Sequence, residues 1–533
     1  MYKILVSDPI AIDGLQTLLD DPDFEVDIDT GLSPDELIEK IKAYDGLIIR
    51  SQTQVTPEVI EAAENLKIIA RAGVGVDNID RDAATKHGVL VINAPDGNTI
   101  SATEHSMAMI LAMARQIPEA NQSLKEGKWN RSQFKGTELY HKTLGIIGTG
   151  RIGLGVAKRA KSFGMKIIAF DPYLTAEKAK ELDIERASVD EIAQRADFVT
   201  VHTPLTPKTK GLINADFFAQ AKPNLQIINV ARGGIIDEQA LVDALDKGLI
   251  ARAAIDVFEH EPATDSPLTK HDKIVVTPHL GASTVEAQEK VAVSVSNEIE
   301  EFFHTGNVRH AVNAPKMIFG EEDNELQEYL NLCDMVGKVC IQLLGKAPRE
   351  LKIKFSGELV KEDTNILTRT IAKGILSQDL AERVNLVNAL FLLNEQNVVY
   401  NVEKDAKSRS FNNYIELTMI NRDRKVTVGA TVLNGYGPRI VQINDYPVDF
   451  KPEKYQLVIH HQDRPGIVGR TGQILGEYDI NIASMHLGRT TQGGNAMMII
   501  SVDMPVSDEV IAALHQIDGF ESVSYTHLRA HET

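Results

Sequence analysis

The stretch Thr143 to Asp171, TLGIIGTGRIGLGVAKRAKSFGMKIIAFD, decides the fold. A short apolar run, Leu144 to Ile147, reads as a buried strand, and a glycine cluster then opens a segment with helical spacing at Ile152, Val156, Ala160 and Phe163. A second apolar run, Ile167 to Phe170, ends in an acid. Each glycine has a physical reason. Gly148 permits a tight turn, Gly150 lets backbone approach a pyrophosphate, and Gly153 lets the helix pack closely on the strand. The helix start offers unpaired N–H groups and the positive end of its dipole to phosphates. Asp171, 18 residues past Gly153, is spaced to accept hydrogen bonds from a ribose 2′-hydroxyl, and its charge repels a 2′-phosphate. The pattern predicts NAD rather than NADP. Glycines at this spacing also occur in ordinary turns, but here strand, glycines, helix, strand and acid all fall in register.

The 533 residues suggest three or four domains. With 43% hydrophobic and 25% charged residues the composition is that of an ordinary globular protein. A formal charge of −19 argues against a nucleic-acid or anionic-membrane surface. An anionic substrate must therefore be drawn in by a local cluster of Arg or Lys. The only cysteines, Cys333 and Cys340, are seven apart in a predicted helix, ~10 Å apart at ~1.5 Å per residue and too far for a disulfide. They read as core thiols of a reducing compartment, and a cytoplasmic location is expected. The opening MYKILVSDPI reads as a strand and not as a signal peptide, and no window offers the ~18 uncharged apolar residues of a membrane span.

From Lys3 to about Ile100, strands KILVSD, GLIIRS, LKIIARAG and GVLVINAP alternate with helices near Pro34–Lys42 and Pro57–Glu64. This alternation implies a parallel sheet whose ligands bind beyond the strand C-termini. Those ends hold Arg50 and Ser51, Gly73 to Asp77 with Val74 among them, and Asp96 to Asn98, a predicted substrate pocket. An apolar-rich helix, Thr103 to Arg115, leads into the central stretch. Asn121 to Tyr140 holds the only tryptophan, Trp129, beside Arg131, and reads as part of a subunit interface that delivers Arg131 to a neighbouring site. Beyond Asp171 the strands ADFVTVHTPL, LQIINVARGG, AAIDVF and KIVVTPHLG extend a doubly wound sheet. Thr203, Ala231, Asp256 and His279 follow their ends. A long helix, Thr284 to Phe303, returns the chain to the first sheet and leaves a cleft between two lobes as the active site.

Oxidising a secondary alcohol by hydride transfer requires a group that takes the hydroxyl proton at neutral pH, which suits histidine. His279, in TPHLGAS, fits. Glu261, in FEHEP and placed by this reading two strand ends away, is the candidate carboxylate that fixes the imidazole tautomer. Arg232, in NVARGG, is the candidate fork for a substrate carboxylate. Singly, each residue also has a structural reading as core histidine, loop cap or turn arginine. Together they end neighbouring strands of one sheet.

These residues carry a resemblance. GTGRIG with Asp171, VHTPLTPKT, NVARGG, FEHEP and PHLGAST resemble the D-isomer-specific 2-hydroxyacid dehydrogenases. RAGVGVDNID, DGNTISATEH and GKWNRSQFKGTEL are similar to the branch of that family that oxidises D-3-phosphoglycerate with NAD, the first step of L-serine biosynthesis. The resemblance implies Arg232, Glu261 and His279 as the catalytic set. It implies cofactor contacts at Val74, Arg151, Ile152, Asp171, Thr203, Val230, Ala231, Asp256 and Gly281, besides Gly148, Gly150, Gly153, Arg232 and His279. It also implies substrate anion contacts at Arg50, Asn98 and, from a partner subunit, Arg131. The rivals are another 2-hydroxyacid dehydrogenase, such as a glyoxylate or hydroxypyruvate reductase, and an NAD(H)-sensing corepressor, which needs no intact catalytic set.

The last third divides again. Residues 316–450 begin with a helix around Leu326 to Leu344 and resemble the intervening domain of long-form members. Arg439 and Lys451 there offer an anion site or, more simply, a solvated pair. From Tyr455 the predicted order is βαββαβ, and HHQDRPGIVGRTGQIL with NIASMHLGR resembles an ACT domain. That likeness implies an L-serine effector site at His461, Asp463 and Asn481, with Asp463 where some relatives carry Asn. The predicted fold class is α/β: two doubly wound Rossmann-like domains, one inserted in the other, then an α+β intervening domain and a βαββαβ ACT domain. The bounds are 1–100 with 284–312 for substrate, 101–283 for NAD, 316–450 and 455–525. Residues 526–533, THLRAHET, read as a frayed or foreign tail, and the oligomer expected is a homotetramer, without metal.

Overall fold

The computed structural model describes residues 1–318, 324–408 and 411–528. The first sheet holds β1 (Tyr2–Val6), β2 (Phe24–Ile28), β3 (Gly46–Ile49), β4 (Ile68–Arg71) and β5 (Leu90–Asn93), all parallel in the order β2-β1-β3-β4-β5. Central strands are apolar on both faces because helices cover both, and all four residues of β3 are buried. Strand β2 has no counterpart in the sequence reading. It is an edge strand whose Glu25 and Asp27 interrupt the apolar run that marks its neighbours. The helix Pro34–Ile41 starts at a capping box, in which Ser33 and Glu36 satisfy each other's backbone N–H.

The helix Thr99–Arg115 leads to a second parallel sheet. Its strands are β6 (Thr143–Ile147), β7 (Lys166–Phe170), β8 (Glu185–Arg186), β9 (Phe198–Val201), β10 (Gln226–Asn229), β11 (Arg252–Ile255) and β12 (Ile274–Val276). The order is β12-β11-β10-β9-β6-β7-β8. Successive strands step outward from β6 through β8, then return to its other side at β9. The reversal opens a crevice beyond the C-terminal ends of β6 and β9, where open α/β sheets bind ligands. The helix Val285–Thr305 then packs Val291, Val295 and Ile299 into the core of the first sheet.

The third sheet comprises β13 (Glu350–Gly357), β14 (Val399–Asp405), β15 (Asn413–Ile420), β16 (Lys425–Leu433), β17 (Gly437–Ile443) and β18 (Tyr446–Phe450), in the order β14-β13-β15-β16-β17-β18. It is antiparallel except for β13 with β14. The helix Asn324–Leu344 lies on it and buries Cys333 and Cys340 as free thiols, whose pKa values burial drives upward. Of the two cations offered as an anion site, Arg439 is already engaged. Its Nε donates to Asp449 Oδ1 at 2.7 Å on the adjacent strand, and that carboxylate neutralises it.

The last sheet is β19 (Tyr455–Gln462), β20 (Ile482–Arg489), β21 (Asn495–Val502) and β22 (Phe520–His527), antiparallel in the order β20-β21-β19-β22. With the helices Ile467–Glu477 and Asp508–His515 this gives βαββαβ. The supposed tail is in part structural. Thr526 and His527 continue β22 opposite Gln456 and Tyr455, Leu528 is buried, and Gln342 bonds both backbone groups of His527 at 2.8 and 3.1 Å. Polar side chains on this edge strand hid its period. Residues 529–533 lie outside the described residues. The whole is α/β: two doubly wound Rossmann-like sheets, one inserted in the chain of the other, followed by two α+β sheets.

Candidate active site

The glycine turn follows β6. Gly148 has φ +99° in the left-handed region, and an added Cβ would stand 2.5 Å from the carbonyl oxygen of His202. At Gly153 a Cβ would lie 2.1 Å from the Gly148 oxygen. Gly150, which caps the helix Arg151–Ser162, faces open space. Asp171 follows β7 and is held beside the turn, its carboxylate accepting from Thr149 N at 2.7 Å and Tyr173 N at 2.8 Å. Across the crevice, after β9, the Thr203 hydroxyl is buried without a partner. Open space over Gly150, an orphaned hydroxyl opposite it and an acid at the next strand end fit an adenine dinucleotide. His202 is no candidate base. Burial pulls its pKa down to about 4, and its Nε2 lies 3.0 Å from the Thr200 hydroxyl.

Three successive strand ends hold the candidate catalytic residues. After β10, Asn229 shapes the loop by accepting from Ala231 N at 3.0 Å and donating to the Arg232 carbonyl at 2.8 Å. Val230 beside it is buried. After β11, Asp256 is fully buried and accepts from Thr277 Oγ1 at 2.6 Å, Leu280 N at 2.8 Å and Gly281 N at 2.9 Å. His105 Nε2 lies 3.2 Å from the same carboxylate. Burial raises its pKa, but these bonds outweigh that and hold it below the ordinary value. Asp256 thereby fixes the loop after β12, where His279 takes φ +56° with its N–H donating to the Asp256 carbonyl at 2.9 Å. His279 Nδ1 is 2.8 Å from Glu261 Oε2, and Glu261 Oε1 accepts from Phe258 N at 3.0 Å. Burial pushes the Glu261 carboxyl up, but the bonds from His279 and Phe258 hold it below the ordinary range. Glu261 follows β11, the immediate neighbour of β12, so it is one strand end from His279 and not two.

The first sheet supplies the opposite wall. Buried Asp8 accepts from the backbone of Arg50, Gln52 and Thr53 and from the Thr53 hydroxyl, which fixes the Arg50–Ser51 loop. Arg50 Nη1 donates to the Pro9 carbonyl at 3.1 Å. Val74, beside Gly73, accepts through its carbonyl from Asn93 Nδ2. Asn98 Oδ1 is buried without a partner. Arg151 bridges the lobes, pairing with Asp96 at 2.9 Å and donating to the Pro95 carbonyl at 2.8 Å, while Ile152 follows in the same helix turn. Arg131 is not brought to these groups. It lies in an exposed segment after Trp129, which is 76% exposed.

Known proteins match along nearly all of this chain. D-3-phosphoglycerate dehydrogenase of Methanocaldococcus jannaschii is 44% identical over 529 residues, 99% of this chain and 100% of the relative. That of Bacillus subtilis is 42% identical over 523 residues, 98% and 99%. The chain belongs to the D-3-phosphoglycerate dehydrogenase family. The D-isomer specific 2-hydroxyacid dehydrogenase NAD binding domain matches residues 107–281, the D-3-phosphoglycerate dehydrogenase intervening domain 325–444 and the ACT domain 455–519. NAD-dependent formate dehydrogenase from Staphylococcus aureus, solved with NAD, is 32% identical with a TM-score of 0.53 and covers 58% of this chain and 97% of its own. This D-3-phosphoglycerate dehydrogenase family member is thus an NAD-dependent oxidoreductase.

Residues that sequence reasoning missed hold the dehydrogenase site together. Asp8, Asn78 and His105 bond to groups as many as 172 positions away, and Asp77, placed by the sequence only in the pocket loop, bonds Arg232 155 positions away. No local pattern marks such partners. In the ACT domain, His461 is buried, its Nδ1 2.8 Å from the Gln462 carbonyl and its Nε2 unpartnered. Nearby Asp463 accepts from Gly493 N and Arg489, which together lower its pKa. Asn481 is not with them. It bonds Asp503 just before β20, which runs parallel to β19, so the two lie at opposite ends of the sheet.

Proposed function

We propose that this enzyme oxidises D-3-phosphoglycerate to 3-phosphohydroxypyruvate, the first step of L-serine biosynthesis, under feedback by L-serine. The observation that carries the reading is the 2.8 Å pair of His279 and Glu261, on the two strand ends next to that of Arg232, beside a dinucleotide turn. With Nδ1 committed to Glu261, Nε2 is the nitrogen that takes the substrate hydroxyl proton, and the carboxylate stabilises the imidazolium that results. Gly148 to Gly153, Asp171 and Thr203 would hold NAD, which when bound would supply the hydride acceptor. Arg232 orients the substrate carboxylate. The Asn98 amide, free to present oxygen or nitrogen, contacts the same end. Arg50 and the partner's Arg131 take the phosphate, against the negative field of the chain.

The ACT sheet supports the regulatory half. Its edge strand β20 lets two copies pair, which would bring Asn481 of one chain near His461 and Asp463 of another, with L-serine's ammonium and carboxylate between them. Trp129 and the helix Ile117–Lys125, none of whose residues is buried, form a further contact between copies, giving a homotetramer. Unpaired buried thiols suit the cytoplasm. Among the described residues no helix is long and apolar enough to cross a membrane. The test is NADH formation from D-3-phosphoglycerate and NAD, repeated with added L-serine. Turnover that serine lowers is expected. Faster use of glyoxylate or unphosphorylated hydroxypyruvate would contradict the substrate, and indifference to serine the regulation.

A further inference from the structure

Arg232 reaches out from the second sheet to the loop after β4. Its Nε donates to Asp77 Oδ2 at 3.0 Å and its Nη1 to the Ala231 carbonyl at 2.7 Å. An added Cβ on Gly75 would stand 2.0 Å from Nη2 and 2.8 Å from the Asp77 carboxylate, so that glycine leaves the lane through which the guanidinium passes. Of the five donors in the fork, Asp77 takes the Nε edge and Ala231 one proton of Nη1, and the outer edge stays available for bidentate pairing.

We propose that Asp77 is a positioning residue for the substrate: it holds Arg232 across the cleft with its outer edge open, so that the carboxylate clamp is complete only when the loops of the two lobes meet. This rests on the reading of Arg232 as the carboxylate clamp. The effect is one of aim and not of stability. The Asp77 side chain is 68% exposed, and ion pairs that wet contribute little to folding. Arg71 also faces this loop. Arg71 is anchored to the Arg50 carbonyl and to Asn78 Oδ1, and its Nη1 would lie 2.6 Å from a Cβ on Gly73. Asp77 thus pairs with Arg232 and also attracts Arg71, whose guanidinium is repelled by those of Arg232 and Arg50.

Steady-state kinetics with D-3-phosphoglycerate tests this. Asp77→Ala should lower kcat/KM by about 10–100-fold, the scale of an ångström's misplacement, with NAD affinity, read by fluorescence, unchanged. In an Arg232→Ala background the same change should cost less than about twofold, because nothing remains to be aimed. Asp77→Asn, which keeps an acceptor oxygen, should recover most of the loss. Gly75→Ala, at a position with no left-handed φ, should reproduce it by displacing the guanidinium. Wild-type kcat/KM in Asp77→Ala, or an equal loss in both backgrounds, would overturn the proposal. Wild-type kcat/KM in Arg232→Ala would instead overturn the reading of Arg232 on which it rests.

Discussion

At the scale of single residues, the site rests on one carboxylate kept ionised beside one imidazole. Glu261 is held below the ordinary carboxylate value, so its pairing with His279 is intact above about pH 4.5 and is lost as pH falls through the lower folded pKa. Glu261→Gln keeps the shape but removes the charge that stabilises a protonated His279. We expect kcat to fall by about 10²-fold and the acid limb of the rate profile to move to lower pH. A pH–rate profile checks both, and an unmoved limb would mean that Glu261 does not act through His279. His279, Glu261 and Arg232 were legible in the sequence because each follows an apolar run that marks a strand end. Asp256 was legible as a strand-end residue and, through the family likeness, as a cofactor contact, but not as the anchor of the His279 loop. Its bonds to Thr277, Leu280 and Gly281, which set the His279 loop, depend on the register of β11 beside β12.

At the scale of elements, strand, glycine turn and helix act as one unit, and here local sequence told most. The turn from Gly148 to Gly153 and the acid after β7 follow from spacing alone, since their physical demands are met within one βαβ segment. Asp171 has a second task that spacing did not show: it accepts from Thr149 N inside the turn. Asp171→Ala should lower kcat/KM for NAD by about 10–100-fold, the loss of a charged hydrogen-bond partner, and raise the ratio of NADP to NAD use. Cofactor titrations read both. An unchanged ratio would contradict the role given to the carboxylate. Edge strands were the illegible elements. β2 and the end of β22 carry polar side chains and bury one face at most, so their periods are weak, whereas central strands buried on both faces announce themselves.

At the scale of the whole molecule, two loops from different sheets make the cleft, and the chain crosses between the sheets at Thr99–Arg115 and returns at Val285–Thr305. Contacts such as Arg232 with Asp77 and Arg151 with Asp96 join residues 155 and 55 positions apart, and only the fold reveals them. The proposed role of Arg131 in a partner's site is tested at this scale. If it serves a neighbouring site, mixing Arg131→Ala and His279→Ala chains after subunit exchange should restore about a quarter of wild-type activity, because half of randomly paired dimers carry one intact site. No recovery would place Arg131 in its own subunit's site or outside any site. The most direct test of the account as a whole is NADH formation by His279→Ala with D-3-phosphoglycerate, measured beside NAD binding. We predict that turnover falls by about 10²–10⁴-fold while NAD binds as in the wild type; wild-type turnover in this variant would contradict the assignment of the base.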